Sequence, residues 1–387
     1  MRLALDKAEE ILARVRPLAR QAGITRVSDI TGLDKLGLPV FLAVRPDVDD
    51  AAISVYNGKG LTAAEAELSA IMEGIERYSG STREEPVVVG SYAELKGSGQ
   101  NVLDPRELIL SKRYPYDDQT EYEWVRGKEL MSGQEMLVPA NCAYFPYYPP
   151  VGRLILNPNT DGLAAGNSVE GASVRALLEL VERDASSLSQ YQNELVTVEE
   201  STIDADWLQP VLAMFKAANI DVYLKNITSD IGLPVFSATT VDAEYELITG
   251  GYGCHFSRDV ALFRALVEAA QTRLTIIHGA REDLDQEKRI WADAVARAGV
   301  WAQRTNRVVA FQDIPTWEHG ASHEQDLEIV LGQLRRAGLD KAIIVELTKP
   351  NVGVPVVRAI VPGLEDTVID PQRIGRRARA YWKSQNA

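Results

Sequence analysis

Cysteine is nearly missing from this sequence: two in 387 residues, Cys142 and Cys254, far apart and in no metal or redox spacing. That excludes a disulfide framework and a cysteine-built zinc site, and both thiols read as small buried apolar groups. Histidine is scarce too. His255, His278, His319 and His323 form no ligand or triad pattern. No apolar run approaches bilayer-spanning length, and the opening residues Met-Arg-Leu-Ala-Leu-Asp-Lys-Ala-Glu-Glu do not read as a signal peptide. The expectation is a cytoplasmic chain without membrane contact. Cations are in deficit, 41 Lys and Arg against 55 Asp and Glu, for a formal net charge of −14. Non-specific nucleic-acid binding is therefore not expected. A P-loop is also lacking, because Gly58-Lys59-Gly60 has neither the four-residue gap nor the Lys-Ser/Thr ending. That triplet reads as a turn carrying a lysine. Neither a short fixed repeat nor a linker-like stretch is found, so residues 1–387 read as a single catalytic unit.

What is present is ordinary in bulk, 45% hydrophobic and 25% charged, and distinctive in pattern. In the helix-forming stretch from Asn167 to Asp184 and beyond, Val174, Leu177, Leu178, Val181, Ala185 and Leu188 share one face. Glu179 and Glu182 fall one turn apart on the other, with Arg175 and Arg183 nearby. An earlier stretch repeats the device. Leu68, Ile71, Met72 and Ile75 face the core, and Ser69, Glu73 and Glu76 form a polar stripe beside them. One Glu-x-x-Glu-Arg is ordinarily a solvated helix face. Two, each after a glycine-bearing stretch and beside an apolar stripe, suggest carboxylates aimed at one space. Such oxygen-rich chemistry suits Mg²⁺ and the phosphates it carries.

Helices are predicted at 6–22 and 207–219, from about Asp259, and at 286–298 and 324–337. A pair of strands is predicted within 23–46, and further strands at 53–56, 87–89, 124–126, 137–139, 222–226, 235–240, 342–347 and 354–361. Residues 82–160 read as loop-rich, with an aromatic, proline-bearing surface run at 144–150. Residues 250–257 read as a glycine-rich turn. After it, Phe263, Leu266, Val267, Ala270, Leu274 and Ile277 make a core face, and Arg264, Glu268 and Gln271 line the opposite one. The fold class expected is α+β, with mixed β-sheets and helices packed on them.

With these motifs assembled, the chain resembles the YcaO-domain family over most of its length. The likeness runs through Gly-Ile-Thr-Arg-Val (23–27), Gly-Leu-Pro-Val (37–40), Gly-Lys-Gly (58–60) and Ser-Ala-Ile-Met-Glu-Gly-Ile-Glu-Arg-Tyr (69–78). It continues through Asp-Gly-Leu-Ala-Ala-Gly-Asn (161–167), Leu-Glu-Leu-Val-Glu-Arg-Asp-Ala (178–185), Arg-Ala-Leu-Val-Glu-Ala-Ala-Gln-Thr-Arg (264–273) and Val-Pro-Gly-Leu-Glu (361–365). The resemblance implies a YcaO-like fold, compatible with an internal duplication around a nucleotide cleft. It implies ATP with Mg²⁺ as cofactors, and O-phosphorylation of a peptide backbone amide during attack on the amide carbon. It places the Mg²⁺ carboxylates at Glu73, Glu76, Glu179 and Glu182. Nucleotide contacts fall on Ser69, Asn167, Arg183, Glu268 and Gln271, and Arg264 joins them by sharing their stripe. Glu182 and Arg183 are the residues expected to carry the chemistry.

Two departures from the family pattern stand out. Many members carry glutamate four residues after the asparagine, where this chain has Gly171. The tail Arg-Ala-Tyr-Trp-Lys-Ser-Gln-Asn-Ala lacks the proline-rich ending of azoline-forming members. That favours thioamide formation with a sulfur-delivering TfuA-like partner on a peptide or protein substrate, in a homodimeric enzyme. An azoline-forming cyclodehydratase and a nucleotide-binding accessory factor for ribosomal-protein methylthiolation remain the alternatives.

Overall fold

A strand that contains glycine or is flanked by it leads into a long helix three times in this fold, and each occurrence carries residues of the predicted site. The computed structural model describes residues 2–81, 87–192, 196–281, 307–367 and 370–385. The helix predicted at 286–298 lies outside the described residues. The chain forms two compact units, Met1–Ile75 with Asn193–Glu318, and Glu76–Gln192 with His319–Ala387.

The first unit begins with α1 (Arg2–Val15). The helix predicted to run to residue 22 changes at Arg16–Ala22 into a 3-10 segment. Pro17 cannot continue an α-helical ladder, and the segment closes on left-handed Gly23. Strands β1 (Arg26–Asp29), β2 (Val40–Val44) and β3 (Val55–Lys59) form an antiparallel three-stranded sheet, as the short apolar runs suggested. Helix α2 (Ala63–Gly80) follows at once. Gly58 lies inside β3 rather than in a turn. A Cβ there would overlap the backbone of Ala66 and Ala70 on α2. Only glycine lets strand and helix approach this closely.

The same unit holds a sheet of β8 (Val196–Glu199), β9 (Asp221–Asn226), β10 (Val235–Asp242), β11 (Leu247–Cys254) and β12 (Arg307–Ala310), in the order β11-β10-β9-β8-β12. The predicted glycine turn is in fact β11, paired along its whole length with β10. Its glycines act as a flat seat. Side chains at 251 and 253 would strike the backbone of α6 (Arg258–His278) at Ala261, Ala265 and Ala269. Those three alanines are fully buried. With α5 (Gln209–Ala217), α6 closes a core that includes Leu212, Phe215, Phe236, Leu262, Leu266 and Phe311. Ile277, predicted on the core face, is 43% exposed. It lies in the last turn before left-handed Gly279, where the apolar stripe outlasts the surface it packs on.

The second unit is built on one antiparallel sheet: β4 (Val88–Ser91), β5 (Glu121–Glu129), β6 (Glu135–Pro139), β7 (Leu163–Ala165), β13 (Ile343–Glu346) and β14 (Val356–Ile360). The path is β4-β5-β13-β14-β7, with β6 on β5. Short helix α3 (Tyr92–Gly97) follows β4. The region predicted as loop-rich thus contains a nine-residue strand, β5, anchored by fully buried Trp124, whose indole donates to Gly90 O at 2.9 Å. Helix α4 (Val169–Ser189) packs on β14 and β7, and α7 (His323–Arg336) packs on α4. The last helix, α8 (Arg376–Gln385), sends Arg377 onto fully buried Asp184 of α4, at 3.0 and 2.9 Å. No described helix is long and apolar enough to cross a membrane.

Candidate active site

In the second unit the site grows from the start of α4. Ser168 caps the helix, its Oγ accepting from Gly171 N–H at 3.0 Å, and Asn167 is exposed just ahead of it. All six predicted core positions on α4, from Val174 to Leu188, are buried. Glu182 is buried as well, at 4% exposure, although the wheel puts it on the polar face. The wheel assumes one solvent-facing side, whereas α4 is covered by both the sheet and α7. Glu179 keeps a quarter of its side chain accessible. Burial still pushes its carboxyl up to about 7, opposed by the Arg183 charge and reinforced by Asp161 and Glu182.

Arg183 joins the acids. Its Nε lies 3.3 Å from Asp161 Oδ1, and its Nη2 lies 3.8 Å from Glu179 Oε1. From the end of α2, Glu76 Oε2 accepts from Ala165 N–H at 3.2 Å, two residues before Asn167. Arg77 pairs with Glu76 at 3.9 Å and also lowers the Glu179 pKa. Glu76, Glu179, Glu182 and Arg183 therefore sit in one neighbourhood around β7 and α4.

Sequence reasoning missed a polar scaffold behind this group. Asn159 Oδ1 accepts from Arg358 Nη2 at 2.7 Å and from Asp161 N–H at 3.1 Å, while its Nδ2 donates to Asp366 at 3.1 Å. Arg373 braces Asp366 at 3.2 Å. Asp161 and Asp366 are within hydrogen-bonding reach, and burial with the Asp161 charge holds Asp366 well above the ordinary carboxylate range. Asp161 Oδ2 and Asp366 Oδ1 are both buried and accept from no donor. Asp161 was visible in the sequence only as the first residue of Asp-Gly-Leu-Ala-Ala-Gly-Asn. Asn159, Arg358 and Asp366 left no local signal, because the fold alone brings them together.

In the first unit, Ser69 and Glu73 lie on α2, one turn apart and partly buried. On α6, Glu268 and Gln271 are tied to β3. Lys59 Nζ meets Glu268 Oε2 at 2.7 Å, and Gln271 Nε2 donates to Asn57 O at 2.6 Å. Glu268 Oε1 also accepts from Tyr252 N–H at 3.4 Å. Arg264 is partly exposed, with its Cβ against Gly253. Lys59 is thus part of this cluster rather than an incidental turn residue. Its signal was the Gly-Lys-Gly triplet. Among the described residues, no group of three or more His, Cys, Asp and Glu could hold a metal ion. The acids stand as pairs and singly, beside cations.

A family model described as YcaO cyclodehydratase, ATP- and Mg²⁺-binding, matches residues 57–365. A protein of Methanothermobacter thermautotrophicus is 40% identical over 372 residues, covering 92% of this chain and 94% of its own. A protein of Rhizobium leguminosarum bv. trifolii, described as lying in the tfuA 3′ region, is 31% identical over 377 residues, covering 92% of this chain and 87% of its own. The structure of YcaO from Methanopyrus kandleri bound with AMPPCP and Mg²⁺ superimposes with a TM-score of 0.77 at 27% identity, covering 95% of this chain and 94% of that one. A heterocyclase in complex with substrate and cofactor shares the fold, with a TM-score of 0.75 at 22% identity. The match covers 89% of this chain and 50% of the heterocyclase.

Proposed function

Since this chain belongs to the YcaO family, we propose that it binds ATP with Mg²⁺ and uses it to activate a peptide backbone amide, giving a thioamide with a TfuA-like partner. One observation carries the reading: Glu179, its carboxyl raised to about 7 by burial, stands beside buried Glu182 and the Arg183 guanidinium. Desolvated carboxylates are what a divalent cation relieves. Mg²⁺ is typically held by one or two carboxylates, with phosphate oxygens and water completing its shell, so paired acids fit it without an all-protein cage. Glu73, Glu76, Glu179 and Glu182 would hold it. Bound there, it would supply positive charge against the phosphates.

The chain's own residues then have defined tasks. Asn167, exposed at the head of α4, and Ser69, Arg264, Glu268 and Gln271 would bind the nucleotide. Arg183 would oppose the charge that develops as the amide oxygen takes the phosphoryl group. An amide oxygen is a poor leaving group, and phosphorylation makes it a good one. A sulfide equivalent adds to the amide carbon, the phosphorylated oxygen leaves as phosphate, and the product is a thioamide with ADP. Positioning and charge neutralisation are the protein's whole contribution.

The sulfur outcome and the partner draw on the relative whose gene lies in a tfuA region. The family description names cyclodehydration, so an azoline product is the second reading. Incubating the chain with ATP, Mg²⁺, sulfide, a TfuA-like protein and the peptide encoded beside its gene separates them by mass spectrometry. Replacement of one oxygen by sulfur supports the thioamide. Loss of water supports the azoline. Product formed without ATP defeats both.

A further inference from the structure

We propose that Asp161 is a positioning residue that sets the Arg183 guanidinium, held in place by Asn159 and Arg358; this rests on the function proposed above. An arginine that opposes charge at a reacting centre is useful only if its terminal nitrogens face that centre. Asp161 Oδ1 lies 3.3 Å from Arg183 Nε, while Arg183 Nη2 is turned to Glu179 Oε1 at 3.8 Å. The ion pair therefore holds the guanidinium by its Nε edge and turns Nη2 towards Glu179, on the side of the paired acids.

Asp161 is itself immobilised. Its backbone N–H donates to Asn159 Oδ1 at 3.1 Å, and Arg358 clamps Asn159 through both the backbone O at 2.8 Å and Oδ1 at 2.7 Å. Asp161 is 7% exposed and Arg358 6%, so neither can reach solvent for an alternative partner. This is the kind of buried, interlocked support that keeps a reacting side chain within a fraction of an ångström of its productive place. Asp161 touches none of the reacting atoms in this arrangement. It acts through Arg183.

The test uses full-length variants, titrated with AMPPCP and Mg²⁺ and assayed for ADP release with peptide and sulfide. Asp161→Asn keeps the shape and removes the charge. It is expected to bind AMPPCP within about threefold of wild type and to lower kcat by about 10- to 100-fold. In an Arg183→Ala background the same change is expected to add less than about twofold, because its route of action is gone. A merely structural Asp161 would cost equally in both backgrounds. Should Asp161→Asn not fold, Asp161→Glu keeps the charge and displaces it by one methylene, and a lowered kcat at unchanged KM is then expected. Unchanged kcat, or equal losses with and without Arg183, overturns the positioning role alone. Wild type that neither binds AMPPCP nor releases ADP overturns the reading beneath it as well.

Discussion

The imidazole of His323 occupies the space that a side chain at position 171 would need. A Cβ on Gly171 would lie 2.7 Å from His323 Nδ1 and 2.8 Å from Cε1. The same Nδ1 is 3.3 Å from Ser168 Oγ, the cap of α4. Because that Oγ already accepts from Gly171 N–H, its own proton is available to Nδ1. Where many family members are expected to carry glutamate, this chain has a glycine with a histidine from α7 laid over it.

Gly171 and His323 should therefore be energetically coupled. Gly171→Ala alone gains helix propensity but displaces the ring, so little net change in Tm is expected. In a His323→Ala background the same substitution should stabilise by about 0.5–1 kcal/mol. Thermal denaturation of the four proteins checks this. Additive effects would show that the ring moves aside freely.

Glu182→Gln should cripple nucleotide use and spare the fold. The carboxylate is buried, the amide is isosteric, and the lost charge is the one expected to meet Mg²⁺. ATP turnover should drop by about 100-fold or more, with a far-UV spectrum like wild type. A variant retaining full turnover would contradict the placement of the site.

The Asp161–Asp366 pair should make stability depend on pH. Asp366 has a raised pKa in the fold, so the folded chain binds a proton there that the unfolded chain, titrating near 4, has already released. The pair's contribution is then greatest at low pH. It is lost as pH climbs from about 4 towards the raised folded value. Asp366→Asn, which is neutral at every pH, should flatten this slope and stabilise the protein at alkaline pH by at least about 1 kcal/mol. Chemical denaturation of both proteins between pH 5 and 8 reads the difference, and parallel curves would exclude a proton held on Asp366 in the fold.

Arg377→Ala should act on stability and leave nucleotide affinity alone. It strands fully buried Asp184 without its bidentate partner, at a cost of roughly 3–5 kcal/mol. A melting point within a degree of wild type would mean that another cation takes over.

Lys59→Met should do the reverse. The Lys59–Glu268 pair is a quarter exposed on both sides, so its loss should cost no more than about 1 kcal/mol. If Glu268 binds nucleotide, the same change should shift AMPPCP affinity severalfold, read by calorimetric titration.

The α4 core stripe was legible because its six apolar residues, Val174 to Leu188, keep one helical face through about four turns of unbroken helix. The Glu-x-x-Glu-Arg pairs were legible as repeats of one chemical pattern. β11 was misread because Gly250, Gly251 and Gly253 weaken a strand signal, and the compensating partner, an alanine ridge on α6, lies later in the chain. A wheel puts Glu182 on a solvated face because it cannot show that α4 is packed on more than one side. Asn159 and Arg358 are 199 positions apart, and no local pattern joins them. The division into two units was hidden for a related reason. One crossing between them falls between Ile75 and Glu76, inside α2, where composition gives no sign of a boundary.

The flat glycine seat under α6 limits what that helix can do. Backbone lying on backbone leaves no side-chain layer to act as a bearing, so a slide or a roll would drive alanine methyls into the strand. Any ligand that arrives at Glu268 and Gln271 must be accommodated by their χ angles, and the helix beneath them serves as a fixed rail.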